Sequence, residues 1–209
     1  MTRPVLYFDV GSPFVYLAAE RIERVLGVDP VWQPILLGGL FKATGRSSWA
    51  RGDADRRAAG IRDIEARAAR YGLPPLRWPD AWPGDYLTAM RAATWAQTQG
   101  AAKAFALAAT RRAFVEGRDL SLPDEVLAAA RAAGLDPGPE AFADPAIKLA
   151  LREATDAAQA RGVFGVPTVA VGDELFWGDD RLEEAAAAQK QLSPDVTSGS
   201  RSPQSGDRA

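Results

Sequence analysis

The chain contains no cysteine and no histidine among its 209 residues. The absence of cysteine excludes disulfide bonds, a protein thiol nucleophile and thiolate metal sites. The absence of histidine excludes a Ser-His-Asp triad and imidazole metal ligands. Any chemistry that needs a strong nucleophile therefore has to recruit that group from another molecule.

The chain also lacks a strong charge imbalance and any long apolar run. Its formal net charge is -2, so nothing favours nucleic acid or an anionic membrane surface as a partner. No stretch resembles a signal sequence or approaches membrane-spanning length. Hydrophobic residues make up 47% and charged residues 25%, which suits one large globular domain. We expect a cytoplasmic protein that binds neither nucleic acid nor membranes.

The first 36 residues have the pattern of a βαβ unit. Residues 5–8 are bulky and apolar, as in a buried strand, and residues 31–36 predict a second strand. Between them, apolar residues recur at helical spacing from Pro13 to Val25, and Gly27 marks the helix end. Because ligands bind at the carboxyl ends of strands in such units, we expect the site near residues 9–13.

The rest of the chain is helical in the middle and β-rich near its end. Ala-rich periodic segments predict helices over residues 61–71, 86–99, 103–116, 125–133 and 147–161. A hairpin is predicted over residues 168–171 and 175–177, and a last helix over about 181–191. The predicted class is α/β, a thioredoxin-like fold (βαβ…ββα) with a large all-helical insertion. Its halves cover residues 1–37 and 162–192, the insertion 38–161 and a disordered tail 193–209.

Ser12 lies at the predicted amino terminus of the first helix, where unsatisfied backbone N–H groups stabilise an anion. If that anion is a thiolate, this environment lowers the pKa of the thiol from about 8.5 towards neutrality. The Ser12 hydroxyl would add a charge-assisted hydrogen bond to the sulfur. The alternative is that Ser12 only caps the helix.

Two further motifs flank the predicted hairpin. Pro167 precedes a strand, and a cis bond there would leave the backbone of Val166 free to pair with an extended peptide. The alternative is an ordinary proline at a strand entry. Asp179 and Asp180 open the last helix, where acidic residues either cap the helix or receive the ammonium group of a ligand.

Together, three motifs resemble one protein family. They are YFDVGSPFVYLA at residues 7–18, VFGVPT at 163–168 and FWGDDRL at 176–182. Their order and spacing resemble those of the 2-hydroxychromene-2-carboxylate isomerases, which are grouped with the kappa-class glutathione transferases among DsbA-like proteins. The resemblance extends over roughly residues 4 to 190, and together the motifs are far more specific than any one of them.

The resemblance implies a glutathione site. Ser12 matches the serine that contacts the glutathione sulfur, at the place of the first cysteine in dithiol relatives. Val15 occupies the place of the second cysteine, so the resemblance excludes dithiol redox chemistry. Val166, before the cis proline at Pro167, would pair its backbone with the cysteinyl unit of glutathione.

The two ends of glutathione are assigned to charged residues in the same way. Asp179 and Asp180 match two polar positions that receive the γ-glutamyl end, and Asp180 is the firmer match. Arg56 falls where the family has a lysine near the glycyl carboxylate, so the spacing agrees but the residue differs. If the cell makes mycothiol or another low-molecular-weight thiol, the two aspartates would meet a ligand without that ammonium group.

The activity implied by the resemblance is a glutathione-dependent isomerisation of an aromatic-catabolism intermediate. A thiolate adds to the conjugated hydroxychromene carboxylate, and rotation and elimination follow. Lys42, Tyr16 and Trp49 are weaker candidates for orienting the substrate. Two alternatives remain open: a kappa-like transferase, and a non-catalytic thiol-binding protein. Homodimers are common in the family, but no interface can be identified in this sequence.

Overall fold

The computed structural model describes residues 3–45, 47–138 and 140–192. Its four-stranded sheet has the order β2-β1-β3-β4. The strands are β1 (Val5–Phe8), β2 (Val31–Pro34), β3 (Thr168–Val171) and β4 (Glu174–Trp177). β1 is parallel to β2, whereas β3 is antiparallel to both β1 and β4. This mixed sheet is the thioredoxin-like α/β arrangement that the sequence predicts, and the predicted tail of residues 193–209 lies outside the described residues.

The first predicted helix is in fact two. α1 covers Pro13–Ala19 and α2 covers Ile22–Leu26. Arg21, at the break, is buried, and its guanidinium donates to the backbone oxygen of Asp179 at 3.1 Å and to Glu183 at 2.6 Å. The prediction of one continuous helix is wrong because the apolar spacing continues across a break at which Arg21 bonds to residues far along the chain.

The predicted helices of the middle segment are present with shifted ends. They are α4 (Ala54–Arg70), α5 (Leu87–Thr98), α6 (Ala102–Phe114), α7 (Pro123–Ala132) and α8 (Pro145–Ala160). A further helix, α3 (Leu37–Thr44), and a 3-10 turn over Trp49–Arg51 were not predicted. The last helix, α9, covers Leu182–Leu192. Within the described residues, no helix is both long and apolar enough to cross a membrane.

The helices enclose the sheet and form a continuous core with it. Helices α5, α6 and α8 pack against β2, and α9 packs against β3 and β4. In the central strand β1, Leu6 and Phe8 are completely buried. This central strand ends directly before the loop that leads to Ser12, so the core anchors the start of that loop. The division of the chain after residues 37 and 161 stays a prediction.

Strand register brings two distant motifs together at one edge of the sheet. Tyr7 pairs with Thr168 in the antiparallel ladder of β1 and β3. This is the last pair of the ladder, so β1 continues from here towards the loop before α1, and the loop before β3 ends here. The two loops therefore adjoin the same end of the β1–β3 ladder, although about 150 residues separate them in sequence.

Candidate functional site

Ser12 is buried at the start of α1, and its hydroxyl is not used by the helix. Its backbone oxygen accepts from the N–H groups of Val15 at 3.0 Å and Tyr16 at 3.3 Å. The side chain makes no capping hydrogen bond, so the capping interpretation of the Ser12 hydroxyl is wrong. Pro13 has no N–H, and the N–H of Phe14 has no partner among the described residues. A hydroxyl and a backbone donor are therefore available here to a group from outside the chain.

The loop before Ser12 is held by a buried carboxylate. Asp9 accepts hydrogen bonds from the backbone N–H groups of Gly11 and Leu37, each at 2.9 Å. Burial raises the pKa of Asp9 to about 6, against the lowering effect of these two bonds. Asp9 thus joins the loop before Ser12 to the first residue of α3.

This pKa predicts an unusual pH dependence of stability. The folded-state pKa of Asp9 lies above the unfolded value of 3.8, so folding favours its protonated form. Stability is therefore greatest below the unfolded pKa and is lost as pH rises through about 6. From pH 4.5 to 7, Asp9 should cost about 2 kcal/mol. Asp9→Asn removes this pH-dependent contribution. The free energy of unfolding of wild type should therefore fall by about 2 kcal/mol relative to that of the variant over this pH interval.

Urea unfolding of both proteins across this pH range measures the difference directly. Asp136→Asn is a matched control, because Asp136 is exposed and has no described partner. This variant removes a carboxylate without the burial on which the prediction for Asp9 depends. A pH-independent difference between wild type and Asp9→Asn would show that Asp9 keeps an ordinary pKa in the folded chain.

The loop before β3 offers free backbone groups at the end of the β1–β3 ladder. The Val166–Pro167 peptide bond is cis, as the resemblance implies. The oxygen of Pro167 accepts from the N–H of Gly178 at 2.9 Å, and the Thr168 hydroxyl donates to Gly165 at 2.7 Å. Neither backbone polar group of Val166 has a partner within the part of the chain that the structure describes. An extended ligand can therefore pair with Val166 in the manner of a strand.

The two candidate aspartates have different surroundings. The Asp179 side chain is 1% exposed, and its two oxygens accept from Arg67 and the Tyr71 hydroxyl, each at 3.0 Å. Burial raises the pKa of Asp179, while Arg67 and Tyr71 act in the opposite direction. The Asp180 side chain is 56% exposed and lies 3.4 Å from Arg67. Asp180 faces solvent, whereas the carboxylate of Asp179 is already engaged inside the protein.

The other sequence candidates are dispersed around the site. Arg56 is exposed in the first turn of α4, where its backbone N–H donates to Asp53 at 2.8 Å. Lys42 is exposed on α3. Tyr16 is buried on α1, and burial raises its pKa to about 12, so this hydroxyl belongs to the core. Trp49 is half-buried and contacts other aromatic rings.

Trp49 and two of the rings that it contacts, Phe14 and Trp82, form what we term the aromatic wall. The ring centroids of Phe14 and Trp49 are 6.2 Å apart, and those of Trp49 and Trp82 are 5.7 Å apart. The indole N–H of Trp82 donates to the backbone oxygen of Gly11 at 3.2 Å. The aromatic wall therefore extends from Phe14, two residues after Ser12, to the loop before Ser12, and its tilted rings provide an apolar surface near that loop.

Gly11 also packs against Tyr86. A Cβ atom at Gly11 would lie 2.1 Å from Cδ2 of Tyr86, so only glycine fits there. Burial raises the pKa of Tyr86 to about 12. Sequence reasoning missed both residues: Trp82 lies in a segment without helical or strand periodicity, and Tyr86, the first residue of a predicted helix, carried no signal that it packs on Gly11. The dense spacing of aromatic residues over 78–86 was the one available signal.

Comparison with known proteins gives consistent results. A family model described as DSBA-like thioredoxin domain matches residues 5–190. A 2-hydroxychromene-2-carboxylate isomerase of Sphingobium xenophagum is 33% identical over 88% of this chain and 96% of its own. Human glutathione S-transferase kappa 1 is 28% identical over 85% of this chain and 86% of its own. The solved structure of a 2-hydroxychromene-2-carboxylate isomerase has a TM-score of 0.77 at 28% identity, over 91% of this chain and 95% of that one.

Proposed function

The chain belongs to the DSBA-like thioredoxin domain family, in the group of the 2-hydroxychromene-2-carboxylate isomerases, and on that premise we propose that it is a thiol-dependent isomerase of that type. The observation that carries this proposal is the buried Ser12 hydroxyl, which has no capping bond and follows β1, the strand that pairs with β3, whose preceding loop carries the free backbone groups of Val166. A chain without cysteine needs a thiol from another molecule, and the Ser12 hydroxyl and the Val166 backbone can hydrogen-bond such a ligand.

Glutathione fits the donors and acceptors around Ser12. We assign the cysteinyl unit of glutathione to the backbone of Val166 next to Pro167, because an N–H and a C=O in that position pair with a peptide. Asp180 would receive the γ-glutamyl ammonium, since its carboxylate faces solvent. The buried Asp179 carboxylate would help to position the γ-glutamyl end indirectly, because it accepts hydrogen bonds from Arg67 and Tyr71. Arg56 would meet the glycyl carboxylate from the exposed first turn of α4.

Ser12 is the proposed catalytic residue. Its hydroxyl donates to a sulfur anion, and the free N–H of Phe14 adds a second donor. Both groups favour the ionised form, so the pKa of a bound thiol falls without help from a protein base. When bound, glutathione supplies the nucleophilic sulfur that adds reversibly to the conjugated substrate and permits rotation about its double bond. The aromatic wall positions the ring of the substrate and excludes water from the site.

A thiol screen tests the first half of this proposal. Thermal shifts with glutathione, mycothiol and other cellular thiols should reveal one thiol that stabilises the chain, by linkage between binding and folding. Asp180→Asn should weaken glutathione binding about tenfold, as expected for loss of one charge-assisted contact. Asp173→Asn, in the exposed hairpin turn, is the matched control and should bind like wild type.

An activity assay with the best thiol tests the second half. Isomerisation of hydroxychromene carboxylate consumes no thiol, so the amount of free thiol should stay constant while product forms. Depletion of the thiol with formation of a conjugate would instead identify a transferase, a function favoured by the kappa-class relative. Stabilisation by none of the thiols would contradict thiol dependence. A cytoplasmic location and homodimer formation stay predictions.

A further inference from the structure

We propose that Arg57 binds the carboxylate of the substrate and makes this site selective for aromatic anions. This inference names the specificity residue of the proposed function and rests on it for the identity of the substrate. The observation behind it is a guanidinium group next to the aromatic wall with most of its N–H donors unused.

Arg57 lies on the inner side of α4. Gly60, one turn further along, packs so closely against Trp49 that a Cβ atom would lie 2.2 Å from Cζ3 of that ring. Ile64, seven residues after Arg57, is completely buried. Residues three and seven apart share one face of a helix, so Arg57 belongs to the same inner face.

The guanidinium of Arg57 contacts the last member of the aromatic wall. Its centre lies 5.6 Å from the ring centroid of Trp82, and one terminal nitrogen donates to the backbone oxygen of Trp82. The same indole donates to Gly11, next to Ser12. A single indole ring therefore separates Arg57 from the loop that carries the proposed catalytic hydroxyl.

The remaining donors of Arg57 have no partner among the residues that the structure describes. A guanidinium has five N–H groups, and Trp82 takes only one of them. The Nε atom is buried without a hydrogen-bond partner, and Arg57 forms no ion pair with any carboxylate in residues 3–45, 47–138 or 140–192. Buried donors without partners are rare in folded proteins because each one carries a desolvation cost. A carboxylate that accepts from these donors removes that cost.

The other inward arginine of α4 shows the contrast. Arg67, ten residues and about 15 Å further along the helix, is already bound to Asp63, Asp179 and Asp180. Its guanidinium lies 5.7 Å from the ring of Phe14, at the opposite end of the aromatic wall. The two ends of the wall therefore differ in charge: carboxylates surround Arg67, whereas Arg57 presents an uncompensated cation. A planar ring with a carboxylate at one end matches this polarity.

Direct binding measures this selectivity without any thiol. Calorimetric titration of 2-naphthoate and of the neutral 2-naphthamide compares one ring system with and without the anion. Wild type should bind naphthoate at least about tenfold more tightly than naphthamide, as expected for one charge-assisted contact. Arg57→Met should abolish this preference. Arg62→Met, an exposed arginine on the same helix, should retain it. Arg57→Gln replaces the methionine variant if that protein does not fold.

Three results would overturn the inference: no preference in wild type, a preference retained without Arg57, or an equal loss in Arg62→Met. With hydroxychromene carboxylate as substrate, loss of Arg57 should raise KM about tenfold and change kcat by less than about threefold. The reason is that Arg57 would stabilise the bound substrate and the transition state equally. Failure of thiol binding contradicts the proposed function alone, since the naphthoate titration contains no thiol. An unchanged naphthoate preference in an active Arg57→Met enzyme contradicts the Arg57 assignment alone.

Discussion

Replacement of Ser12 by alanine should lower kcat/KM for isomerisation about 10²- to 10³-fold, the usual effect of removing one donor to a developing or resident anion in a closed site. The hydroxyl makes no capping hydrogen bond, so its removal leaves no helix donor unsatisfied. We therefore expect the free energy of unfolding of Ser12→Ala to stay within about 0.5 kcal/mol of wild type. The ultraviolet absorbance of bound thiolate at neutral pH should disappear in the same variant.

Ser48→Ala is the matched control for this prediction. The Ser48 hydroxyl does cap a turn, because it accepts from the N–H of Ala50 at 3.2 Å. Its loss should cost about 1 kcal/mol of stability and leave the absorbance of bound thiolate unchanged, because Ser48 is not a proposed sulfur donor. Ser12→Ala should therefore abolish the thiolate absorbance without a change in stability, whereas Ser48→Ala should lower stability without a change in that absorbance. A Ser12→Ala enzyme with wild-type turnover would contradict the catalytic assignment.

Gly11→Ala should destabilise the chain by about 3 kcal/mol, at the upper end of the range for overpacking. The added methyl would overlap the Tyr86 ring at 2.1, 2.5 and 2.7 Å from three of its atoms, including Cγ, so the whole ring has to move. The carbonyl oxygen of Gly11 also accepts a hydrogen bond from the indole N–H of Trp82, and its own N–H donates to the Asp9 carboxylate. A shift of Gly11 therefore moves the backbone that positions Ser12.

We expect activity to fall at least tenfold in this variant even where it remains folded, because small displacements of a catalytic group are costly. Chemical denaturation and steady-state kinetics measure the two effects. Gly38→Ala is the control: Gly38 lies in α3, nothing lies within 4 Å of its added Cβ, and alanine favours a helix. Equal stability of the two variants would show that the Tyr86 contact does not constrain the loop.

The sequence predicted much of the fold because its local signals and its tertiary contacts agree. The β1 run, the strand at residue 31, the hairpin and most helices follow from periodicity, glycine and proline alone. α3 was missed because the run from Leu37 contains two adjacent glycines, which weaken a helical pattern, and the packing of α3 on α8 compensates for them.

The candidate site was only partly predictable, for a different reason. Ser12, Val166, Pro167 and Asp180 belong to contiguous motifs, so the resemblance was enough to propose them. Arg57, Trp82 and Tyr86 belong to no motif, and only the packing of α4 and the loop after it brings them to Gly11. No local rule connects residues 57, 82 and 11, because side-chain contacts across such separations depend on how whole elements pack.

By itself, the sequence determined that the chain has no sulfur nucleophile, that it starts with a βαβ unit and that Ser12 follows its first strand. Only the tertiary structure decided which polar groups remain free. Asp179 is engaged inside the protein, whereas Asp180 faces solvent. Among the described residues, the Ser12 hydroxyl makes no capping bond and the Nε donor of Arg57 has no partner. Hydrogen bonds are short-ranged and directional, so whether a polar group has a partner depends on atoms that folding brings from distant parts of the chain.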